Sequence, residues 1–197
     1  MYNFTLHIPT TIHFGKGAVS HLDELKNYGK KLLLVYGGGS IKKNGIYDTA
    51  VSILKNAGIS ISELSGVEPN PRIQTVRKGV EICKAEGIDM ILAIGGGSAI
   101  DCSKVIAAGA KYDGDAWDLV LDPSKIKAAL PIFDVLTLSA TGTEMDPFAV
   151  ISDLTKNEKW GTGSPFMVPT MSVLDPEYTY SVSKKQTAAG TADMMSH

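Results

Sequence analysis

Hydrophobic positions along this chain follow two alternating rhythms. Short apolar runs closed by glycine or proline suit strands, and apolar positions three and four apart suit helices. Residues 4–14 alternate enough for one or two short strands, and Lys16 to Lys26 sets Ala18, Leu22 and Leu25 on one helical face. Lys31 to Tyr36 is an apolar run with glycines behind it, the pattern of a strand buried on both faces. Asn44 to Ala57 is predicted helical through Ile46, Ala50, Ile53, Leu54 and Ala57, with Gly58 as its stop. Ile59 to Leu64 is predicted as a strand, closed by the turn chemistry of Glu68-Pro69-Asn70-Pro71. Ile73 to Ala85 is predicted as a helix with Val76, Val80 and Cys83 inward and Gly87 as its end. Asp89 to Ile94 is the clearest strand; Gly95-Gly96-Gly97-Ser98 and a helix over Ala99 to Ala110 follow it.

This succession of strand and helix predicts an α/β fold with a doubly wound, mostly parallel sheet. Tyr112 to Lys127 is polar and aspartate-rich, with Trp117 inside it, and reads as a surface excursion. Pro131 to Leu138 resumes as a strand, Val150 to Trp160 suits a hairpin around Asp153 to Glu158, and Met171 to Leu174 is a last short strand. Lys184 to His197 is small and apolar at helical spacing. No cap or breaker precedes His197, so a chain that continues further is expected.

Composition narrows the classes. The 197 residues suffice for one large domain, and 44% hydrophobic with 20% charged is ordinary for a globular protein. A net charge of −2 supplies no basic field for nucleic acid and no polybasic patch for a membrane surface. No apolar run approaches the roughly 20 residues of a bilayer span, and Met1 to Lys16 has no signal-peptide core. Cys83 and Cys102 lack metal-ligand spacing and sit in apolar helical patterns. Buried free thiols and a cytoplasmic, reducing compartment are expected.

Candidate chemistry starts at Gly95 to Asp101, between a buried strand and a helix. Glycines let backbone N–H groups approach a pyrophosphate with no Cβ in the way, and the helix N-terminus adds its positive end. Standing alone, such a turn also serves as a tight β–α connection. A second glycine turn, Gly37-Gly38-Gly39-Ser40, follows an earlier strand. The usual dinucleotide fingerprint has an acidic residue near a strand end for the ribose hydroxyls. Here glycine and serine hold that place, with Lys42 and Lys43 close behind, which favours a 2′-phosphate and hence NADP over NAD. Lysines that merely solvate a helix start are the alternative. Asn70, between two prolines, is a rigid loop amide that could meet a cofactor. Thr137 to Glu144 carries hydroxyls at Thr137, Ser139, Thr141 and Thr143, which suits a ligand-facing loop or local backbone hydrogen bonds.

Taken in order, Phe14-Gly15-Lys16-Gly17, Tyr36 to Ser40, Glu68 to Pro71, Gly95 to Ser98 with Asp101 and Lys104, Thr137 to Glu144, Asp175-Pro176 and Thr187 to His197 form a set. That set closely resembles the iron-containing (group III) alcohol dehydrogenases, in their butanol dehydrogenase and broad-specificity NADPH-dependent aldehyde reductase branch. The resemblance implies a Rossmann-like, dehydroquinate synthase-like α/β domain over residues 1–183 that holds NAD or NADP. It also implies that residues 184–197 begin an all-α domain carrying most of a metal site. Carried over by residue, Gly38, Gly39 and Ser40 would lie near the adenosine ribose, and Asn70, Gly96, Gly97, Ser98 and Asp101 would line the cofactor cleft. Thr137, Leu138, Thr141 and Lys159 would contact the cofactor. Asp193 and His197 match the first two of four ligands, one aspartate and three histidines, for Fe²⁺ or Zn²⁺. Their i, i+4 spacing sets both on one helix face. The other two ligands would follow residue 197, since His7, His13 and His21 match none.

The activity so implied is hydride transfer between NAD(P)H and small aldehydes or primary alcohols such as butanol, with the metal polarising the carbonyl. A homodimer through the N-terminal strands is implied as well. No residue reads as a general base. The alternatives are a relative of glycerol dehydrogenase or dehydroquinate synthase, with different metal-ligand surroundings, and a catalytically inactive dinucleotide-binding fragment.

Overall fold

The apolar run that begins at Lys31 is buried from Leu32 to Tyr36, and its side chains divide between two hydrophobic layers. In the computed structural model, which describes residues 3, 5 and 7–197, β1 (Thr11–Phe14) is followed by a 3-10 helix (Ala18–Asn27), β2 (Lys31–Tyr36), α1 (Ser40–Lys43), α2 (Ile46–Asn56) and β3 (Ser60–Leu64). Then come α3 (Ile73–Glu86), β4 (Met90–Gly95), α4 (Gly97–Gly109), α5 (Ala116–Leu121) and β5 (Ile132–Leu136). The antiparallel pair β6 (Phe148–Asp153) and β7 (Glu158–Gly163), β8 (Met171–Leu174) and α6 (Lys184–Ser196) complete the order. Phe4 and Leu6 of the expected first strand lie outside the described residues. Among the described residues no helix is long and apolar enough to cross a membrane.

The main sheet runs β1-β8-β5-β4-β2-β3, and each neighbouring pair is parallel. This is the expected doubly wound α/β arrangement. Side chains alternate across a strand, so Leu32, Leu34 and Tyr36 join Leu22, Leu25, Ala50 and Leu54 on one face. Leu33 and Val35 join Val76, Val80, Val105 and Ile106 on the other. Both faces are covered, which is why β2 and β4 read as unbroken apolar runs rather than alternating ones. Helix α4 is buried over most of its length, from Ala99 to Gly109. Its approach to α3 needs Gly79, where a Cβ would stand 2.4 Å from Ile106 Cδ1.

Of the strands expected over residues 4–14, the described residues form only β1, and residues 7–10 are not strand. Two further segments differ from expectation. Residues 18–27 form a 3-10 helix, because Val19, Leu22 and Leu25 recur every third residue and bury together. The predicted surface excursion at Tyr112 to Lys127 instead contains α5, and Trp117 is only 3% exposed. The aspartates that made it look solvated are caps. Asp115 accepts from the Trp117 N–H at 2.9 Å and receives Arg77 through two bonds of 2.8 and 2.9 Å. Cys83 and Cys102 are free and buried, as expected, and burial pushes the Cys83 thiol up to about 12.

Candidate functional site

Strands β2 and β4 are neighbours, yet their outgoing chains diverge. The chain leaving β2 packs α2 on one face of the sheet, and the chain leaving β4 packs α4 on the other. A crevice therefore opens beyond the carboxyl ends of these strands, the usual ligand position in such sheets. Both glycine turns line it. The cleft is about 370 Å³ and is bounded by Gly37 to Ile41, Val67, Pro69, Ile94 to Ala99, Thr137, Leu138 and Gln186. Gly39 enters α1 at φ 95°, a conformation that favours glycine. A Cβ at Gly96 would stand 3.3 Å from Leu138 Cβ, so this turn is also pinned by the loop opposite. Among the described residues no side chain caps α4, which leaves its N-terminus to meet a ligand.

The hydroxyl loop is held from below by α4. Lys104 is fully buried, and its Nζ donates to Thr143 Oγ1 (2.8 Å), to Asp146 O (2.8 Å) and Oδ1 (2.9 Å), and to Phe148 O (2.8 Å). Burial lowers its pKa, and Asp146 pulls it back up. Asp101, one turn earlier, accepts from Thr143 Oγ1 at 2.7 Å and from the Val150 N–H at 3.0 Å. Burial raises its pKa against those two donors. Asp101 thus clamps the hydroxyl loop and β6 to α4 and is not among the cleft-lining residues.

Asn70 sits beside the cleft at φ 57°; its N–H donates to Ser98 Oγ at 3.3 Å. Its Oδ1 accepts from Lys159 Nζ at 2.7 Å. This bond joins two residues far apart in the sequence, and both border a neighbouring cavity of about 330 Å³. Lys42 is engaged away from the cleft, 3.6 Å from Glu63 and over the Tyr47 ring at 4.3 Å.

Helix α6 crosses the far end. A Cβ at Gly190 would stand 2.6 Å from Ser139 O, so only glycine permits this approach. Gln186 reaches the cleft, and Asp193 borders an adjoining cavity of about 540 Å³ that shares Leu138 and Gln186 with it. His197 Nε2 lies 3.7 Å from Asp193 Oδ1. Two metal–ligand bonds of about 2.0–2.2 Å can span that gap, and carboxylate with imidazole suits Fe²⁺ or Zn²⁺. The pair therefore fits part of a divalent-metal ligand set.

Of the residues singled out from sequence, Gly38, Gly39, Ser40, Gly96, Gly97, Ser98, Thr137 and Leu138 share the cleft lining. Asn70 and Lys159 stand together beside it. Thr141 is exposed, with its Oγ1 3.7 Å from where a Cβ on Gly97 would be. Sequence reasoning missed Gln186, Gly190 and Asp146, and it read Thr143 as a loop hydroxyl without its part in anchoring the loop to Lys104 and Asp101. Their only signals were a small-residue stretch on α6 and hydroxyls already assigned to the loop.

The family model described as iron-containing alcohol dehydrogenase matches residues 9–176. The chain is 63% identical over 198 residues to NADH-dependent butanol dehydrogenase A of Clostridium acetobutylicum, covering 100% of this chain and 51% of that protein. It is 42% identical over 200 residues to the NADPH-dependent aldehyde reductase YqhD of Escherichia coli K12, again with 100% and 51% covered. The crystal structure of NADH-dependent butanol dehydrogenase A from Thermotoga maritima superposes with a TM-score of 0.97 at 48% identity, covering 100% of this chain and 50% of that one. The chain thus spans about half the length of the curated relatives it matches.

Proposed function

The chain belongs to the iron-containing alcohol dehydrogenase family, and from that premise we propose that its cleft holds a nicotinamide dinucleotide for hydride exchange between small aldehydes and primary alcohols such as butanol. The observation that carries this is the convergence of two glycine turns and the uncapped start of α4 on one cleft. Backbone N–H groups at Gly96 to Ser98 bind the pyrophosphate, and the α4 N-terminus balances its charge. Gly38, Gly39 and Ser40 take the adenosine ribose. Thr137, Leu138 and Thr141 orient the nicotinamide end, and Asn70, fixed by Lys159, closes the side.

On this reading residues 1–183 are the dinucleotide domain, and 184–197 begin the metal-binding helical part. Asp193 and His197 would hold a divalent ion, Fe²⁺ or Zn²⁺, at the cavity that adjoins the nicotinamide end. When bound, that ion supplies Lewis-acid polarisation of the carbonyl oxygen. The chain's own residues bind and orient the cofactor and exclude water around it. Glycine at position 38 leaves room for a 2′-phosphate, whereas Lys42, bound to Glu63, does not reach for one. The NADP preference therefore rests on Ser40 and Lys43 alone. Among the described residues β1 is an edge strand, which suits pairing with a second copy, and the buried thiols suit a reducing cytoplasm.

Parallel titrations with NADH and NADPH, followed by nicotinamide fluorescence, test the reading. Saturable binding of at least one, with butyraldehyde-dependent oxidation of the bound form, is expected. Binding of neither overturns it. Turnover of glycerol in place of butyraldehyde favours the glycerol dehydrogenase alternative, and binding without any turnover favours an inactive dinucleotide-binding fragment.

A further inference from the structure

A second ligand set lies far from the cleft, where β1 meets the 3-10 helix. The chain reverses through Gly15 at φ 126° and Gly17 at φ 79°. The turn is tied down by Gly17 N–H donating to Asp175 Oδ2 at 2.7 Å and Gly15 N–H donating to Leu174 O at 3.0 Å. His13 on β1 is thereby brought against the helix. A 3-10 helix has three residues per turn, so positions i and i+3 eclipse. His21 and Glu24 accordingly stand one above the other, with His21 Nδ1 2.6 Å from Glu24 Oε1. The His13 ring stacks on the His21 ring at a centroid distance of 3.7 Å and an interplanar angle of 12°. His13 Nε2 lies 3.8 Å from the same Glu24 oxygen, is buried, and has no hydrogen-bond partner among the described residues.

We infer that His13, His21 and Glu24 bind one divalent transition-metal ion of the Zn²⁺ class. The three donor atoms lie within 4.8 Å of one another. Ligand bonds of about 2.0–2.2 Å close that triangle once the stacked rings turn so that both nitrogen lone pairs point at one position. Two imidazoles and a carboxylate match borderline ions rather than Mg²⁺ or Ca²⁺. A cation also supplies the missing partner of His13 Nε2. The nearby ammonium of Lys16 does not oppose an ion here, since it pairs with Glu177 at 2.9 Å. A cavity of about 440 Å³ bordered by His13, Ser20 and His21 leaves the remaining coordination position to water. The ion would pin an edge strand, β1, to the helical layer, and it takes no part in the cleft.

The test uses chelator-stripped protein carrying Asp193→Asn and His197→Ala, so that the other candidate pair is silent. Co²⁺ and Zn²⁺ are titrated by calorimetry and visible absorption. A tightly bound ion, a four- or five-coordinate Co²⁺ spectrum and a Zn²⁺-dependent rise in Tm are expected. All three should vanish in His13→Ala and His21→Ala. Glu24→Gln alters only a half-exposed side chain, so it keeps the question open to measurement if a histidine variant misfolds; it should weaken binding. Within that background, dinucleotide affinity should be the same with and without the His13, His21 and Glu24 substitutions. An unaltered uptake in these variants, or only the six-coordinate spectrum of aqueous Co²⁺, overturns the inference.

Discussion

Replacing Lys104 by methionine removes a buried cation and keeps most of its chain volume. Its Nζ serves Thr143, Asp146 and Phe148 through four contacts of 2.8–2.9 Å. Breaking a buried pair by removing one partner costs roughly 3–5 kcal/mol. Here the loss is smaller on one side, because the Asp146 side chain is 31% exposed and also accepts from the Phe148 N–H at 2.7 Å. That carboxylate rehydrates. The Thr143 acceptor is buried and cannot rehydrate, and such an orphaned group costs about 1–3 kcal/mol. Methionine recovers apolar contact in the core and carries no ammonium desolvation. The balance is a loss of about 3 kcal/mol, a large share of the roughly 5–15 kcal/mol that holds a domain folded. At about 2–4 °C per kcal/mol for a chain of this size, the Tm falls by roughly 6–12 °C. Urea unfolding followed by the fluorescence of Trp117 and Trp160 measures it directly, with a lower midpoint and an unchanged slope. Dinucleotide affinity falls too, because the hydroxyl loop loses its anchor. A loss below about 1 kcal/mol, the worth of one ordinary hydrogen bond, would refute the claim that Lys104 holds the loop.

Further expectations concern other buried or close-packed positions. Ser172 Oγ lies within donating distance of both Asp134 Oδ2 (2.6 Å) and Glu144 O (2.7 Å). Burial pushes the Asp134 pKa well above the carboxylate range, against the lowering effect of the Ser172 hydroxyl, so the folded chain holds the Asp134 proton more tightly than the unfolded chain does. The unfolded chain loses that proton above about pH 3.9 while the folded chain keeps it, so stability declines from there up to the folded pKa and then levels. Asp134→Asn should flatten this decline in urea midpoints taken across pH 4–8 (about the range of the assay); an unchanged pH slope would contradict it. Gly190→Leu cannot fit against Ser139 O at 2.6 Å, so α6 must shift. Dinucleotide affinity and metal uptake should drop together with little change in Tm, and retention of both would disprove the contact. Gly38 has open space around its Cβ position, so Gly38→Asp should fold normally. Titration should show NADPH weakened more than NADH, and an equal loss would move Gly38 away from the adenosine ribose.

The sheet was legible because β2 and β4 are buried on both faces and end in glycine, a combination few other structures require. Helix α5 was not, because Asp115 and Asp122 act as caps yet look like solvated surface in a linear pattern. The glycine turns announced the cleft through their own chemistry. Asp101 and Lys104 announced only that something polar sat one and two turns into α4. Which groups they meet depends on how the 137–148 segment folds back over the helix, and no local pattern encodes that. The family resemblance placed Asp101 in the cleft, but its carboxylate is committed to Thr143 and Val150.

The same limit governs α6, and there the fold adds the missing step. Gln186, Gly190, Asp193 and His197 recur at intervals of four, three and four, so they form one helical stripe. Periodicity alone says that these four share a face and nothing about what the face meets. The contact at Gly190 decides it. With Ser139 O where a Cβ would be, the stripe is pressed against the loop that leaves β5. Gln186 then falls into the cleft and Asp193 into the cavity beside it, with Leu138 common to both. A residue with no side chain thus sets how far the candidate metal ligands stand from the candidate cofactor site. Substitutions there should change the coupling of the two sites before they change either site's own chemistry.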